Sequence, residues 1–157
     1  MGLAQTVLRW FRREKRGVRT ARSLLTDNYR DLAHLTKQIR LDAERAPYAF
    51  VGDRLRQIAA EKEKSLAVLG EAIERLGGHA TAIDASVHSG KNHWERLGRD
   101  LDEQKQLEDQ MLEHAAILAL DSPEQSELLR SLALVETRHA RALTDLVAKA
   151  DPQAELT

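Results

Sequence analysis

The segment IAAEKEKSLAVLGEAIERLGG, residues 58–78, decides the fold of this chain. Its apolar residues recur at alternating steps of three and four, which is the period of a helix that packs one face against neighbours. We expect a helix over about residues 48–76 that ends at the Gly-Gly pair, because glycine readily adopts the left-handed conformation that closes a helix. The same period places Lys62 and Ser65 on the apolar face. That face consists of Val51, Leu55, Ile58, Leu69, Ala72 and Leu76.

Two short connections and one long connection join this helix to three others. Ala46-Pro47 ends the preceding helix, since proline disfavours the helical conformation of the residue before it. Ser122-Pro123-Glu124-Gln125 supplies an N-cap, a first-turn proline and a capping-box glutamine for the last helix. Residues 79–91 keep no period, so the pattern predicts two antiparallel hairpins joined by one long crossover. The three other helices are expected at about residues 22–45, 92–120 and 123–150.

The composition is typical of one all-α domain. A length of 157 residues suits a single core, and 4% aromatic with 31% charged residues fits long helices. The absence of cysteine excludes disulfides, thiolate metal sites and thiol catalysis. No apolar run approaches the ~20 residues of a membrane-spanning helix. We therefore expect a cytoplasmic protein, with a peripheral place at the membrane as the alternative.

A separate basic helix is predicted before the bundle. Residues 1–23 contain seven basic residues and one acidic residue, a net charge of +6, while the other 134 residues carry a net charge of −7. The basic charge is therefore local, which indicates an appended element. The helix should cover about residues 3–16 and break near Gly17, with an uninterrupted helix as the alternative. The predicted division is a basic amphipathic N-terminal helix over 1–21, a four-helix bundle over 22–150 and a flexible tail over 151–157.

The N-terminal helix places apolar side chains beside arginines. Such a helix can dock in a groove of a protein partner, lie on an anionic membrane surface, or cover one end of the bundle. An arginine-rich mitochondrial presequence is a further alternative. Nucleic acid is disfavoured as a partner because the rest of the chain is acidic. The residues expected to contact a partner or a membrane are Leu3, Val7, Arg9, Trp10, Phe11, Arg12, Arg13 and Arg16.

Glu136-Thr137-Arg138-His139 is the second informative stretch, because Glu-x-x-His can present two metal ligands from one helix. Together with residues 69–78 and the hairpin lengths, it resembles the rubrerythrin/ferritin-like superfamily over residues 22–150. The resemblance implies a ferritin-like four-helix bundle, whose dimetal site takes one Glu from each of two helices and a Glu-x-x-His from each of the other two. On this resemblance the other Glu-x-x-His falls on Lys62 and Ser65. A charged lysine offers a cation no lone pair.

The helix periods place the remaining candidates around the centre of the bundle. His139 and Val135 share the inward stripe of the last helix, and Glu136 lies beside that stripe. Glu108 is expected to point inward from the third helix, with Glu103 as a less central alternative. The other candidates are Asp31 and Glu61, and His34 comes within reach of Glu61 if the turn between the first two bundle helices centres near Pro47.

Two interpretations of this centre remain open. In the first, the carboxylates and histidine form an altered iron or manganese site. In the second, no cofactor is bound, Lys62 pairs with Glu108 or Glu136, and His139 is a hydrogen-bonded core histidine. The second is favoured because buried carboxylates need a compensating cation, which lysine can supply. The ligands of the first interpretation are Asp31, Glu61, Glu108, Glu136 and His139.

The sequence favours a non-catalytic interaction protein over an enzyme. We expect a degenerate ferritin-like scaffold that associates with a protein partner, or with copies of itself, through its basic helix. One alternative is a ferritin-like diiron protein in iron or peroxide handling, and another is a peripheral membrane protein. No nucleophilic triad can be proposed. His79, His88 and His93 flank or lie in the long connection and are expected to be solvated.

Overall fold

Four α-helices make up the part of the chain that the computed structural model describes, residues 2–81 and 90–150. Within the first helix, the described side chains begin at Gly17 and omit Arg19. The predicted tail over 151–157 and residues 82–89 of the long connection lie outside this range. The helices are α1 (Gly2–Glu44), α2 (Ala49–Arg75), α3 (His93–Leu118) and α4 (Pro123–Lys149).

The helices form two antiparallel hairpins, α1–α2 and α3–α4, joined by the predicted crossover. At one end of the bundle, Arg22 Nη1 donates to the Gly77 carbonyl at 3.5 Å, so α2 ends beside the early part of α1. At the other end, Arg96 Nη2 donates to the Arg45 carbonyl at 3.3 Å, so α3 begins where α1 ends. The connection between α2 and α3 therefore runs the length of the bundle, as in four-helix bundles with one long crossover.

One apolar core lies along the axis of the bundle, and all four helices contribute to it. The inward face predicted for α2 is confirmed, including the burial of Lys62 and Ser65, although Ala72 and Leu76 at its end are half-buried. Burial of a large apolar side chain contributes roughly 1.5–3 kcal/mol, so this core is the main source of stability. Its fully buried members include Leu25, Leu32, Ile39, Leu55, Ile58, Leu69, Ile73, Leu97, Met111, Leu129 and Leu143.

The helix does not break near Gly17, and the alternative of an uninterrupted helix is the one observed, because α1 continues through this residue. Gly17 is buried, and a Cβ atom there would lie 3.3 Å from the Cβ of Asp121. Its carbonyl accepts a hydrogen bond from the Ser122 hydroxyl at 3.3 Å. The glycine thus permits close packing of α1 on the α3–α4 connection. Residues 2–16 extend α1 past this contact by about 22 Å at 1.5 Å per residue. The partner-contact side chains predicted between Leu3 and Arg16 lie outside the described ones.

The N-cap predicted for α4 is not formed, whereas α3 has an N-cap that the sequence analysis did not name. The Ser122 side chain makes no capping hydrogen bond to α4, since its hydroxyl bonds to α1 instead. The side chain of Asn92, which was not singled out, caps α3 by accepting from the Glu95 N–H at 2.9 Å. The Glu95 carboxylate in turn accepts from the Lys91 N–H at 2.8 Å. No helix in the described part of the chain is long and apolar enough to cross a membrane.

Candidate functional site

A completely buried lysine lies at the centre of the candidate site. Lys62 on α2 has an exposed fraction of 0%, and its Nζ donates to the Glu136 carboxylate of α4. The same Nζ donates to Gln104 Oε1 of α3 at 2.5 Å. Gln104 Nε2 donates to Glu136 Oε2 at 2.6 Å and to the Glu136 carbonyl at 3.0 Å. Side chains from three helices therefore close a hydrogen-bonded ring around one carboxylate oxygen.

His139 connects this ring to the surface of the bundle. The imidazole is 2% exposed, and its Nε2 lies 2.8 Å from Oε2 of Glu61 on α2. Its Nδ1 lies 3.4 Å from Glu136 Oε2. Because a carboxylate only accepts hydrogen bonds, both contacts are hydrogen bonds only when both ring nitrogens carry a proton. In this arrangement neither nitrogen can act as a general base for Ser65, which lines the same groove.

The electrostatics of the ring favour an ion pair. Burial alone would raise the pKa of Glu136, but the hydrogen bond from His139 and the charge and hydrogen bonds of Lys62 and Gln104 bring it down to about 2. Burial lowers the pKa of Lys62, and the Glu136 carboxylate opposes that effect. The hydrogen bond with His139 lowers the pKa of Glu61. A carboxylate with so low a pKa stays ionised at neutral pH, so it needs the adjacent ammonium.

The structure brings Glu61, Glu136 and His139 together, but not the other two candidate ligands. Asp31 is exposed, and its carboxylate accepts from Gln110 Nε2 at 2.9 Å across the α1–α3 seam. Glu108 is half-buried and accepts from the Thr137 hydroxyl at 2.6 Å.

Two sequence predictions about the neighbours of the site are wrong. Glu108 is not the inward residue of α3, since Gln104, Leu107 and Met111 occupy its buried positions. His34 does not approach Glu61. It lines a cleft between α1 and α3, whereas Glu61 faces α4 across the α2–α4 seam.

The inward residue of α4 also differs from the prediction. Glu136 has an exposed fraction of 0%, while Val135 is half-buried. The valine was placed inward because it is apolar. The buried carboxylate is stabilised by Lys62 and Gln104 from two other helices. The apolar pattern of α4 alone cannot predict such partners. Of the two carboxylates that could pair with Lys62, the structure selects Glu136.

The donor set does not fit a dimetal centre. Glu136 is the only fully buried carboxylate among the candidate ligands, and the Lys62 ammonium already contacts it. On α3, Gln104 contributes an amide in place of a carboxylate. On α1, the buried residues Leu32, Leu35 and Thr36 offer no carboxylate. Among the described residues, no three His, Asp or Glu side chains converge as metal ligands.

A second buried polar cluster joins α1 to α3, and the apolar pattern of the sequence did not predict it. It contains the carboxyl groups of Asp42 and Asp100, which are both buried and influence each other's pKa. Gln38 Nε2 donates to Asp100 Oδ1 at 2.8 Å, and Arg96 Nε lies 3.8 Å from Asp42 Oδ1. Burial raises the pKa of both carboxyls, and the charge of Asp42 raises that of Asp100 further. Both carboxyls are therefore protonated more readily than an exposed aspartate.

The histidines around the long connection do not form one solvated group. His93, expected to be solvated, is 1% exposed because α3 begins at this residue and packs it inward. His79 is exposed, as predicted. His88 lies outside the described residues.

Two grooves run along the α2–α4 seam. The first has a volume of about 520 Å³ and is lined in part by Glu61, Ser65 and His139. The second, here the acidic groove, has a volume of about 620 Å³. It is lined by residues that include Val68, Ala72, Leu76, Glu124, Glu127 and Leu128.

Comparison with known proteins establishes the fold but not a function. No protein-family model matches the chain, and no curated protein sequence matches it. The structure is similar to that of a bacterioferritin from Desulfovibrio desulfuricans, with a TM-score of 0.78 and 13% sequence identity over 86% of this chain and 82% of the other. That bacterioferritin was solved with its diiron site in different catalytic states. The predicted ferritin-like four-helix fold is confirmed.

Proposed function

We propose that this protein is a non-catalytic, ferritin-fold interaction protein that uses an internal lysine in place of a metal ion. The scaffold presents the basic N-terminal part of α1 to a partner. The observation that carries the proposal is the completely buried Lys62 ammonium in contact with Glu136. By the superfamily resemblance, Lys62 stands where a glutamate ligand would stand.

Charge balance supports this role for Lys62. A buried carboxylate without a compensating charge is strongly destabilising, and the ammonium supplies that charge. A metal ion 4 Å from the ammonium would be repelled by about 4 kcal/mol per unit charge, at the effective dielectric constant that is typical near a protein surface. Lys62 therefore stabilises the core and disfavours a metal ion.

The N-terminal part of α1 supports association. Its backbone continues as a helix past Gly17, where α1 packs on the α3–α4 connection. In sequence it combines apolar residues such as Trp10 and Phe11 with five basic residues. An amphipathic helix with this sequence pattern can bind a groove of a protein or an anionic membrane surface.

A second candidate function is iron or peroxide handling at an altered site. It is favoured by the contacts that join Glu61, His139 and Glu136, since all three side chains are of metal-ligand type. The similar bacterioferritin has a diiron site. For this function Lys62 would have to leave Glu136.

Cobalt(II) titration of the full chain, followed by visible absorption, separates the two candidates. We expect no stoichiometric binding by the natural chain. The Lys62→Glu/Ser65→His variant should bind cobalt, because both positions are buried and face the site. The matched control is Lys105→Glu on α3, an exposed change of the same charge outside the groove. Stoichiometric binding by the natural chain would support iron handling instead. A folded double variant without cobalt affinity would contradict the assigned positions.

Deletion of residues 1–16 tests the interaction role. The shortened α1 begins at Gly17, so the bundle should fold with nearly unchanged helicity per residue by circular dichroism. Association with anionic vesicles, or between copies of the chain, should be lost. Global unfolding of the truncated chain would mean that the segment belongs to the core.

A further inference from the structure

The acidic groove is open to solvent and contains apolar side chains as well as charged ones. It lies at the end of the bundle from which residues 2–16 extend. Its lining combines apolar side chains of α2 with the first turns of α4, and Val68 is 44% exposed there. Glu71 in the lining is paired with Arg75 at 2.5 Å. Glu124 and Glu127 have no ion-pair partner among the described residues. The groove thus offers apolar contact area beneath two unpaired carboxylates.

Residues 2–16 have the complementary chemistry in sequence. They contain five basic residues and one acidic residue, a net charge of +4, and the apolar residues Leu3, Val7, Leu8, Trp10 and Phe11. The groove lining contains three glutamates and one arginine, a net charge of −2. Each buried aromatic side chain covers about 150–250 Å². Charge and apolar character therefore match between this segment and the groove.

The course of α1 prevents a chain from filling its own groove. Gly17 packs on Asp121 and Ser122, which immediately precede α4, so residues 2–16 continue the axis of α1 beyond that end of the bundle. Reaching the α2–α4 seam of the same chain would require a break in α1, and the helix has none. The segment extends about 22 Å, enough to lie along the groove of a neighbouring bundle.

We infer that the partner of residues 2–16 is a second copy of this chain, in whose acidic groove the segment docks. A two-fold axis would place each segment on the groove of the other copy, which gives the closed, self-complementary contact of a symmetric dimer. This inference rests on the proposed interaction function and names its partner.

Sedimentation equilibrium of the full chain tests the inference. We expect a dimer whose dissociation constant rises with salt, because the contact pairs opposite charges. Trp10→Ser/Phe11→Ser in the segment, and Glu124→Lys/Glu127→Lys in the groove, should each raise that constant at least tenfold. The control is Asp109→Lys/Glu113→Lys, the same charge change at exposed positions of α3, which should leave the dimer intact.

Mixing the two interface variants gives the sharper result. The segment variant keeps an intact groove and the groove variant keeps an intact segment, so their mixture should form a heterodimer while each alone stays monomeric. Failure of the mixture to associate would contradict the pairing. A dimer insensitive to the groove variant but lost in the segment variant would overturn the groove as the docking site and leave the interaction function standing.

Anionic vesicles distinguish failure of the inference from failure of the proposed function. A full chain that is monomeric at every concentration, yet binds phosphatidylserine vesicles through residues 2–16, would overturn the second copy as partner. If the segment variant altered neither self-association nor vesicle binding, the proposed function itself would be wrong.

Discussion

Glu136 and Asp100 are both completely buried in the same bundle, yet their pKa values shift in opposite directions. The pKa of Glu136 is lowered to about 2, whereas that of Asp100 is raised well above its ordinary value. Burial opposes ionisation at both positions. The difference arises from the neighbours, since the Lys62 ammonium contacts Glu136, whereas the charge of a second carboxyl, Asp42, raises the pKa of Asp100. A buried carboxylate in this core is therefore stable as an ion only where the chain supplies its own cation.

The largest expected effect comes from removing that cation. Lys62→Met leaves Glu136 buried without its partner, and breaking a buried pair in this way typically costs about 3–5 kcal/mol. We expect a loss of that size in the free energy of unfolding at pH 7, measured by urea denaturation. The Lys62→Met/Glu136→Gln double variant should recover most of it. A gain in stability from Lys62→Met alone would show that the lysine reaches water.

The acid limb of the stability profile, which is the decrease in the free energy of unfolding as pH falls, should depend on Glu136. Because the folded chain holds the pKa of this group at about 2, below its ordinary 4.5, the resulting stability is present above pH 4.5 and is lost as pH falls toward 2. The difference corresponds to on the order of 3 kcal/mol. Urea denaturation at several pH values should show this loss in the natural chain. Glu136→Gln should lower stability at pH 7 and make the acid limb shallower, and an unchanged limb would contradict the assignment.

The opposite pH dependence of stability is expected from Asp100. Its raised pKa means that the folded chain binds a proton that the unfolded chain releases, so stability falls as pH rises from 3.8 through the raised value. Asp100→Asn removes this loss because the amide does not ionise. We expect a higher free energy of unfolding than that of the natural chain at pH 8, measured by urea denaturation. Asp102→Asn, on the exposed face of α3, is the control and should have little effect. Destabilisation by Asp100→Asn at pH 8 would mean that the two carboxyls do not repel.

The smallest effect is expected at Glu61, whose side chain is 38% exposed. Its contact with His139 lowers its pKa, so the stability it contributes is present above pH 4.5 and declines below that value. Partly exposed pairs of this type contribute about 0.2–1 kcal/mol. Glu61→Gln should cost an amount in this range at pH 7 and nearly nothing at pH 2, measured against the exposed Glu74→Gln. A loss as large as that of Lys62→Met would place Glu61 within the central ring.

The fold could be predicted because it follows from local signals. The apolar periods of α2 and α4 and the turn residues between helices set the hairpins, and the same period placed Lys62 and Ser65 inward. The course of α1 at Gly17 could not be decided from the sequence, because a glycine in a helical pattern can have two meanings. A glycine that ends a helix and one that admits a close neighbour look the same until the Asp121 contact is known.

The polar interior could be predicted only in part. A buried lysine requires an anion, which limited its partner to two glutamates, but the choice of Glu136 depends on how α4 rotates against α2. Val135 and Glu136 are adjacent, so a rotation of one residue exchanges them. The Asp42–Asp100 pair left no signal, because acidic residues on helices are usually solvated and the two lie 58 positions apart.

The central claim is that the Lys62 ammonium stands in place of a metal ion. Elemental analysis of the full chain, purified without a histidine tag from cells supplied with iron and manganese, tests it most directly. The expected result is far less than one equivalent of any transition metal per chain, before and after incubation with iron(II) and passage through a desalting column. One or two equivalents of iron or manganese retained by the folded natural chain would contradict the claim.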